Sequence, residues 1–319
     1  MTTLTCLLCN SHNYEVLKKY QHIGILKYGC SLVVCQDCGH FFTRTSKIED
    51  PRNLYENEQY ELIDTRRTLF GQLISFDVSS ALRQLSQIKP FTKHASLLDF
   101  GCGKGVFLSL AAEHGWRVLG IETAQKRATF ARKNYGLNVI IDDYSGGKIP
   151  SGPFDVITLF HILEHLPNPK ELLKALLENN LKADGVLVVE VPRFESFQWT
   201  VAGSAWIHLD PPRHLSHFST GALLQLLRDL GFSVLASRQS SIHNGLLGMV
   251  QAILSRLGYK KMLIEELKLR RTSNLILMVL TVLPFALCLE LVAILFKRGG
   301  IIRLYCSRVI DPAIEKARS

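Results

Sequence analysis

Short continuous apolar runs alternate with stretches of helical period through the middle of the chain. SLLDF at 96–100, RVLGIE at 117–122, FDVITLF at 154–160 and GVLVVEVP at 185–192 are the clearest of these runs. Runs of that length without polar alternation read as strands buried on both faces, joined by helices that cover a parallel sheet. The pattern therefore predicts an α/β fold. Further along, ALLQLLRDLGF reads as a helix, and SVLASRQS and IIRLYCSR as strands, the last introduced by Gly299-Gly300. Between those two strands, GLLGMVQAILSRLG places Leu246, Val250, Ile253 and Leu257 on one helical face. Asn274 to Phe296 follows as a stretch apolar enough to cross a bilayer.

Composition sharpens this picture in two places. The chain has 319 residues, 47% of them apolar, enough for one enzyme domain with appendages. Its formal charge of +9 is uneven: nine basic residues stand against three acidic ones between Arg256 and Arg303, on both sides of the apolar stretch. That arrangement suits anionic lipid headgroups. MTTLTCLLCN lacks the basic, apolar and small-residue sequence of a secretory leader, so a cytoplasmic location is expected. Reduced thiols follow for the eight cysteines.

Four of these are paired as CLLC and CQDC: Cys6, Cys9, Cys35 and Cys38, with 25 residues between the pairs. Two such turns offer four thiolates to one tetrahedral ion, a closed shell with a structural role. Asn10 and Gly39 follow the pairs, residue types that accept the left-handed conformation a tight knuckle needs. Cys30 lacks a knuckle partner. A structural Zn2+ is expected.

SLLDF ends in Gly101-x-Gly103-x-Gly105 and opens into a helix, the context that gives a glycine pattern meaning. Glu122 ends the next strand, where a carboxylate can accept ribose hydroxyls. Val106 stands where a dinucleotide fingerprint needs its third glycine. With Asp99 ahead of the loop, the segment from about Ser96 to Gln239 instead resembles class I, Rossmann-like S-adenosylmethionine-dependent methyltransferases. The resemblance implies a seven-stranded sheet in which IIRLYCSR runs antiparallel between the fifth and sixth strands. It also implies cofactor contacts from Asp99, Gly101, Gly103, Gly105, Glu122, Asp142, Asp143, Phe160 and His161. Tyr60 resembles a tyrosine that closes over the cofactor.

HILEH, residues 161–165, matches a zinc-peptidase motif. Pro167 and Pro169 preclude the long helix that motif requires, and no downstream glutamate offers a third ligand. The same letters end the fourth strand in methyltransferases acting on quinones and sugars, which implies that His161, Glu164 and His165 line the pocket; helix-start capping and supporting hydrogen bonds are the alternative, above all for Glu164. DPPRHLSHFS is similar to a segment of zinc-ribbon sugar C-methyltransferases that supplies the base; His214 matches its histidine, Arg213 replaces a glutamate and His217 a tyrosine. By that resemblance His214, His217 and His161 are catalytic candidates, and Tyr60, His165, Trp206 and Arg213 acceptor contacts. Helix capping by Ser219 and simple packing of His217 are the plainer alternatives.

The expected organisation is a zinc ribbon at 1–48, a helical lid or linker at 49–94, a methyltransferase core at 95–240, an apolar and basic helical insertion at 241–299, and the last strand and tail at 300–319. A single crossing would strand the last strand beyond the membrane. Two helices docked into one leaflet are expected, the longer kinked at Pro284 to re-enter on the same side; the alternatives are a soluble helix covered by its own domain or a dimer partner, and a true span in which Glu290 reaches the interface. The expected function is methyl transfer to a small or lipid-linked acceptor, a sugar, glycolipid or quinone, by a peripheral or monotopic enzyme at the cytoplasmic membrane face. The alternatives are an RNA methyltransferase or an inactive scaffold of the same fold. DNA is not expected as a partner. RNA is disfavoured because the basic residues surround apolar helices and the fourth strand lacks an Asn/Asp-Pro-Pro-aromatic ending.

Overall fold

The computed structural model describes residues 5–17, 30–44, 64, 69–92, 94–239, 241–263, 266–267 and 272–309. Tyr60 lies outside the described residues.

Three short strands, β1 (Tyr14–Val16), β2 (Ser31–Cys35) and β3 (Phe41–Arg44), form an antiparallel ribbon. After α1 (Leu69–Ile88), strands β4 (Ser96–Phe100), β5 (Arg117–Glu122), β6 (Val139–Ile141), β7 (Phe154–Phe160) and β8 (Leu181–Pro192) pair in parallel. The covering helices are α2 (Val106–Glu113), α3 (Gln125–Tyr135) and α4 (Pro169–Asn180). Pro169 opens α4, where its missing N–H costs no hydrogen bond. The period of two explains the core. Leu98, Ile157 and Leu187 form a row on one face, Leu97, Val156 and Val186 a row on the other, and all six are buried. Each such side chain contributes about 1.5–3 kcal/mol.

Beyond β8 come α5 (Phe197–Ala202), the two-residue β9 (Ser216–His217), α6 (Thr220–Asp229) and β10 (Phe232–Arg238). The insertion follows as α7 (Ile242–Arg256) and α8 (Ser273–Leu295), and β11 (Ile301–Arg308) completes the seven-stranded order β10-β11-β8-β7-β4-β5-β6. β11 is antiparallel to both neighbours, as the resemblance implied.

Three features were not foreseen. The ribbon sheet has the order β1-β2-β3-β9, so its fourth strand comes from the loop that carries the histidines. The ribbon is thereby continuous with the core across the boundary drawn at 48. Second, α8 runs unbroken through Pro284 for 23 residues, so it does not turn back on itself. Its length is about 35 Å. One stripe, including Leu275, Val282 and Ala286, faces inward and packs on α7, while Leu277, Phe285 and Leu295 are 62%, 70% and 80% exposed. Third, Glu290 points inward and accepts a hydrogen bond from Gln198 Nε2 at 2.9 Å. Burial raises its carboxyl pKa, since the charged form is penalised away from water.

Candidate active site

The glycine loop sits at the carboxyl edge of the sheet. Gly101, Gly103 and Gly105 have φ of 78°, 55° and 78°, the left-handed region that favours glycine. A Cβ at Gly101 would meet Ile162 Cδ1 at 2.0 Å, whereas one at Gly103 would meet nothing within 4 Å. The loop is thus packed tightly beneath Gly101 and open above Gly103. Glu122 accepts from Gly103 N and Ala124 N, each at 2.8 Å, tying the loop to the start of α3. Each carboxylate oxygen has two lone pairs, so capacity remains for a ribose diol. Asp142 and Asp143 are exposed beyond β6 on the same edge. These residues fit S-adenosylmethionine. Gly101→Ala is expected to weaken cofactor binding at least tenfold, read by calorimetric titration.

Asp99 is buried and accepts from Thr158 Oγ1 at 2.6 Å. Burial, opposed by that hydrogen bond and assisted by the charge of Glu122, raises its pKa from 3.8 to about 7. The neutral carboxyl stabilises the fold fully below 3.8, and this contribution is lost as pH rises through about 7. Asp99→Asn keeps an acceptor for Thr158, so urea unfolding should lose less stability across neutral pH in the variant than in the natural chain.

β7 ends in Phe160, whose ring packs edge-on to Phe107 at 4.7 Å and carries the Arg303 guanidinium over its face. His161 follows with φ of 57°. The segment after it is a single 3₁₀ turn, Leu163–His165, so the long helix of a zinc peptidase is absent, as expected. His161 Nδ1 lies 3.2 Å from Glu164 Oε1, and its Nε2 lies 3.1 Å from Glu190 Oε1 and 2.8 Å from the Asn244 amide. Burial works against a charge on this ring, but the two carboxylates reverse that and raise its pKa to about 10. Both ring nitrogens of His161 are thus engaged, Nδ1 by Glu164 and Nε2 by Glu190 and Asn244. Glu190 also accepts from Arg303 Nε at 2.6 Å, and Arg303 lies 3.6 Å from Asp77, to which Ser241 donates at 2.8 Å. This buried chain of charges joins the site to α1 and to the start of α7.

The histidine loop approaches from the other side. Leu215 N donates to Glu164 O at 2.7 Å, and His165 Nδ1 donates to Arg213 O at 2.9 Å. His214 Nδ1 donates to His208 O at 2.6 Å, and the His165 and His214 rings stand 4.6 Å apart. Burial is the first cause that lowers both pKa values, that of His165 to about 4, so both rings are neutral. Arg213 is paired with Asp210 at 2.7 Å. His217 and Trp206 lie elsewhere. His217 Nε2 is 2.9 Å from Thr43 Oγ1 inside the ribbon contact, and Trp206 is buried against Trp199 and His208. Both therefore pack the fold, and the structure brings neither to the pocket with His165 and His214.

In the ribbon, the four cysteine sulfurs lie within 4.8 Å of one another, with Cys6–Cys38 at 3.5 Å and Cys9–Cys35 at 3.6 Å. Four thiolates about 2.3 Å from one zinc ion would stand about 3.8 Å apart. Asn10 and Gly39 have φ of 60° and 70°, the left-handed knuckles read from the sequence. The donor set fits a structural zinc.

Glu190, Arg303, Asp77, Asn244 and His208 were missed. The first two had a signal: the lone carboxylate in VLVVEVP and the arginine flanked by apolar residues in IIRLY are each conspicuous in a buried strand, and they are register partners.

The fold and site define a Rossmann-like, S-adenosylmethionine-dependent methyltransferase. The chain belongs to the methyltransferase-domain family, which it matches over residues 56–237. It is similar to the ubiquinone biosynthesis O-methyltransferase of Chromobacterium violaceum, 30% identical over 125 residues, 33% of this chain and 53% of that one. The counterpart in Azoarcus sp. is 26% identical over 149 residues, 41% of this chain and 64% of that one. The chain thus spans about half the length of the first of these relatives. Phosphoethanolamine N-methyltransferase 2 of Haemonchus contortus, solved with S-adenosyl-L-methionine, has a TM-score of 0.54 at 11% identity over 85% of this chain and 62% of that one. That likeness is one of fold.

Proposed function

We propose that the chain methylates an oxygen of a small or lipid-linked acceptor, quinone-like or sugar-like, at a membrane surface. The observation that carries this reading is the reach of the insertion into the site: Asn244 of α7 lies 2.8 Å from His161, and α7 bears the exposed apolar helix α8. The similarity to ubiquinone biosynthesis O-methyltransferases supports an oxygen as acceptor. When bound, S-adenosylmethionine supplies a methyl group on a sulfonium whose charge disappears on transfer. The chain's own residues do the rest. The glycine loop and Glu122 hold the ribose end, Asp142 and Asp143 flank the adenine, and Phe160 and His161 border the reacting end. A dry pocket favours loss of charge. His161 brings its cation already paired with two carboxylates, so no uncompensated positive charge is added. His214, its ring held by the His208 carbonyl, assists loss of the acceptor's proton, and His165 borders the acceptor. The ribbon zinc is structural and holds the histidine loop.

Incubation with methyl-labelled S-adenosylmethionine and a lipid extract is the test. Label in the organic phase is expected; label confined to aqueous nucleotide sugars or to RNA would sink the reading. The membrane element has its own check. The chain should float with anionic vesicles, and L277K/L280K, on the exposed face of α8, should abolish flotation while cofactor affinity is kept.

A further inference from the structure

We infer that the C-terminal ends of α7 and α8, closed around α5, form a docking surface for the phosphate layer of an anionic phospholipid bilayer. The inference rests on the membrane reading above, and it assigns the residues that meet the headgroups and the part of the site they carry there.

α5 has two dissimilar sides. Inward, Gln198 Nε2 donates to Gly245 O at 2.7 Å and to Glu290 Oε2 at 2.9 Å, and Gln198 Oε1 accepts from Trp206 Nε1 at 3.4 Å. Trp199 packs against Trp206, whose ring stands 5.3 Å from that of His208, the residue whose carbonyl holds His214. Outward, two guanidinium groups close on consecutive residues of the last turn. Arg256, at the end of α7, donates from Nε to Val201 O. Arg298, just beyond α8, donates from Nη2 to Thr200 Oγ1 at 3.0 Å. Each of these bonds leaves the other guanidinium N–H groups for water or a phosphate oxygen.

The charges have no counterion in the fold. Arg256, Lys297 and Arg298 are exposed, and among the described residues none of them has a carboxylate partner. Of the acidic groups described on the insertion, Glu290 is buried and Glu266 is paired with Lys261 at 3.1 Å. α5 itself, FQWTVA, carries no acidic residue. Beside each arginine stands an apolar side chain that the fold leaves in water: Leu257 is 73% exposed and Phe296 is 75% exposed. A cation fixed next to an exposed apolar group suits the boundary of headgroups and acyl chains, where the apolar group enters hydrocarbon and the guanidinium meets phosphate. A second copy of the chain would cover the apolar groups, but a two-fold contact would set the same unpaired cations against each other. Docked on lipid, α5 lies at headgroup level with the histidine loop directly behind it. The head of a lipid-linked acceptor then enters the site while its tail stays in the bilayer.

The test is sedimentation of the full-length chain with vesicles of phosphatidylcholine alone, or mixed in equal parts with phosphatidylglycerol. The natural chain is expected to prefer the mixed vesicles and to lose that preference as salt screens the charges. R256Q/R298Q should weaken binding to mixed vesicles about thirtyfold and leave binding to phosphatidylcholine unchanged. R256K/R298K keeps the charge, and R117Q/K133Q removes as much charge from β5 and α3; each should bind within about threefold of the natural chain. S-adenosylmethionine affinity by calorimetry checks that the variants fold. Should the double variant fail that check, R256Q and R298Q alone should each weaken binding about fivefold. Undiminished binding by the folded variants, an equal loss in R117Q/K133Q, or no preference for mixed vesicles in the natural chain would overturn this surface alone. A natural chain that binds neither vesicle would remove the membrane reading as well.

Discussion

Cys35→Ser is expected to cut methyl transfer at least a hundredfold while cofactor affinity changes only a few-fold. The ribbon supplies none of the groups placed around the cofactor, so the effect must travel through the histidine loop. Loss of one thiolate opens the four-sulfur shell, and zinc binding of about 10–16 kcal/mol is the folding energy of such small modules. Without the ion, β2 and β3 lose their anchor, and with them goes the pairing of Phe41 and Phe42 with His217 and Ser216. Thr43 N then no longer donates to Leu215 O, nor Thr43 Oγ1 to His214 O. The loop that brings His214 to Glu164 and His165 is released. The glycine loop and Glu122 depend on β4 and β5 and remain as they are. Calorimetric titration with S-adenosylmethionine, beside a turnover assay on the same preparation, separates the two. Equal loss of both would show that the ribbon stabilises the whole core instead of the loop.

Glu190→Gln is expected to destabilise the chain by about 3–5 kcal/mol, the cost of leaving buried charge unpaired. Glu190 stands between two cations, His161 at 3.1 Å and Arg303 at 2.6 Å, and is itself buried. Glutamine keeps the shape and one acceptor but removes the charge that both partners face. Arg303 keeps Asp77 at 3.6 Å, and His161 keeps Glu164 at 3.2 Å. Urea denaturation reads the loss. The double variant E190Q/R303M removes one cation with the carboxylate and should recover more than half of it. No recovery would mean that the network is not electrostatically coupled.

Much of this molecule is legible in its sequence, for physical reasons that also mark where legibility ends. Strands β4, β7 and β8 are readable because burial on both faces demands largely apolar runs, and SLLDF is buried at every position. The glycine loop and the cysteine knuckles are readable because each needs a backbone conformation few residues accept, as φ at Gly101, Asn10 and Gly39 bears out. These are local constraints. The meeting of His214 with Glu164 and His165 is tertiary, and no period in the chain encodes it. The same holds for Glu290, which composition sends to the lipid interface and packing turns toward Gln198. The contact of His161 with Glu190 was not legible either, because it lies a strand away.

β11 has a consequence for the order in which the molecule is made. It lies between β8 and β10, yet it is translated after both, with the whole of α7 and α8 in between. While the ribosome is still reading the insertion, β8 and β10 have no partner at their facing edges, and Arg303 has not arrived to meet Glu190. The nascent core thus waits with an open slot and an unneutralised carboxylate, just as an apolar helix of 23 residues emerges. A membrane that captures α8 at that moment would hold both flanks of the slot near each other until the closing strand arrives, making the bilayer a participant in maturation.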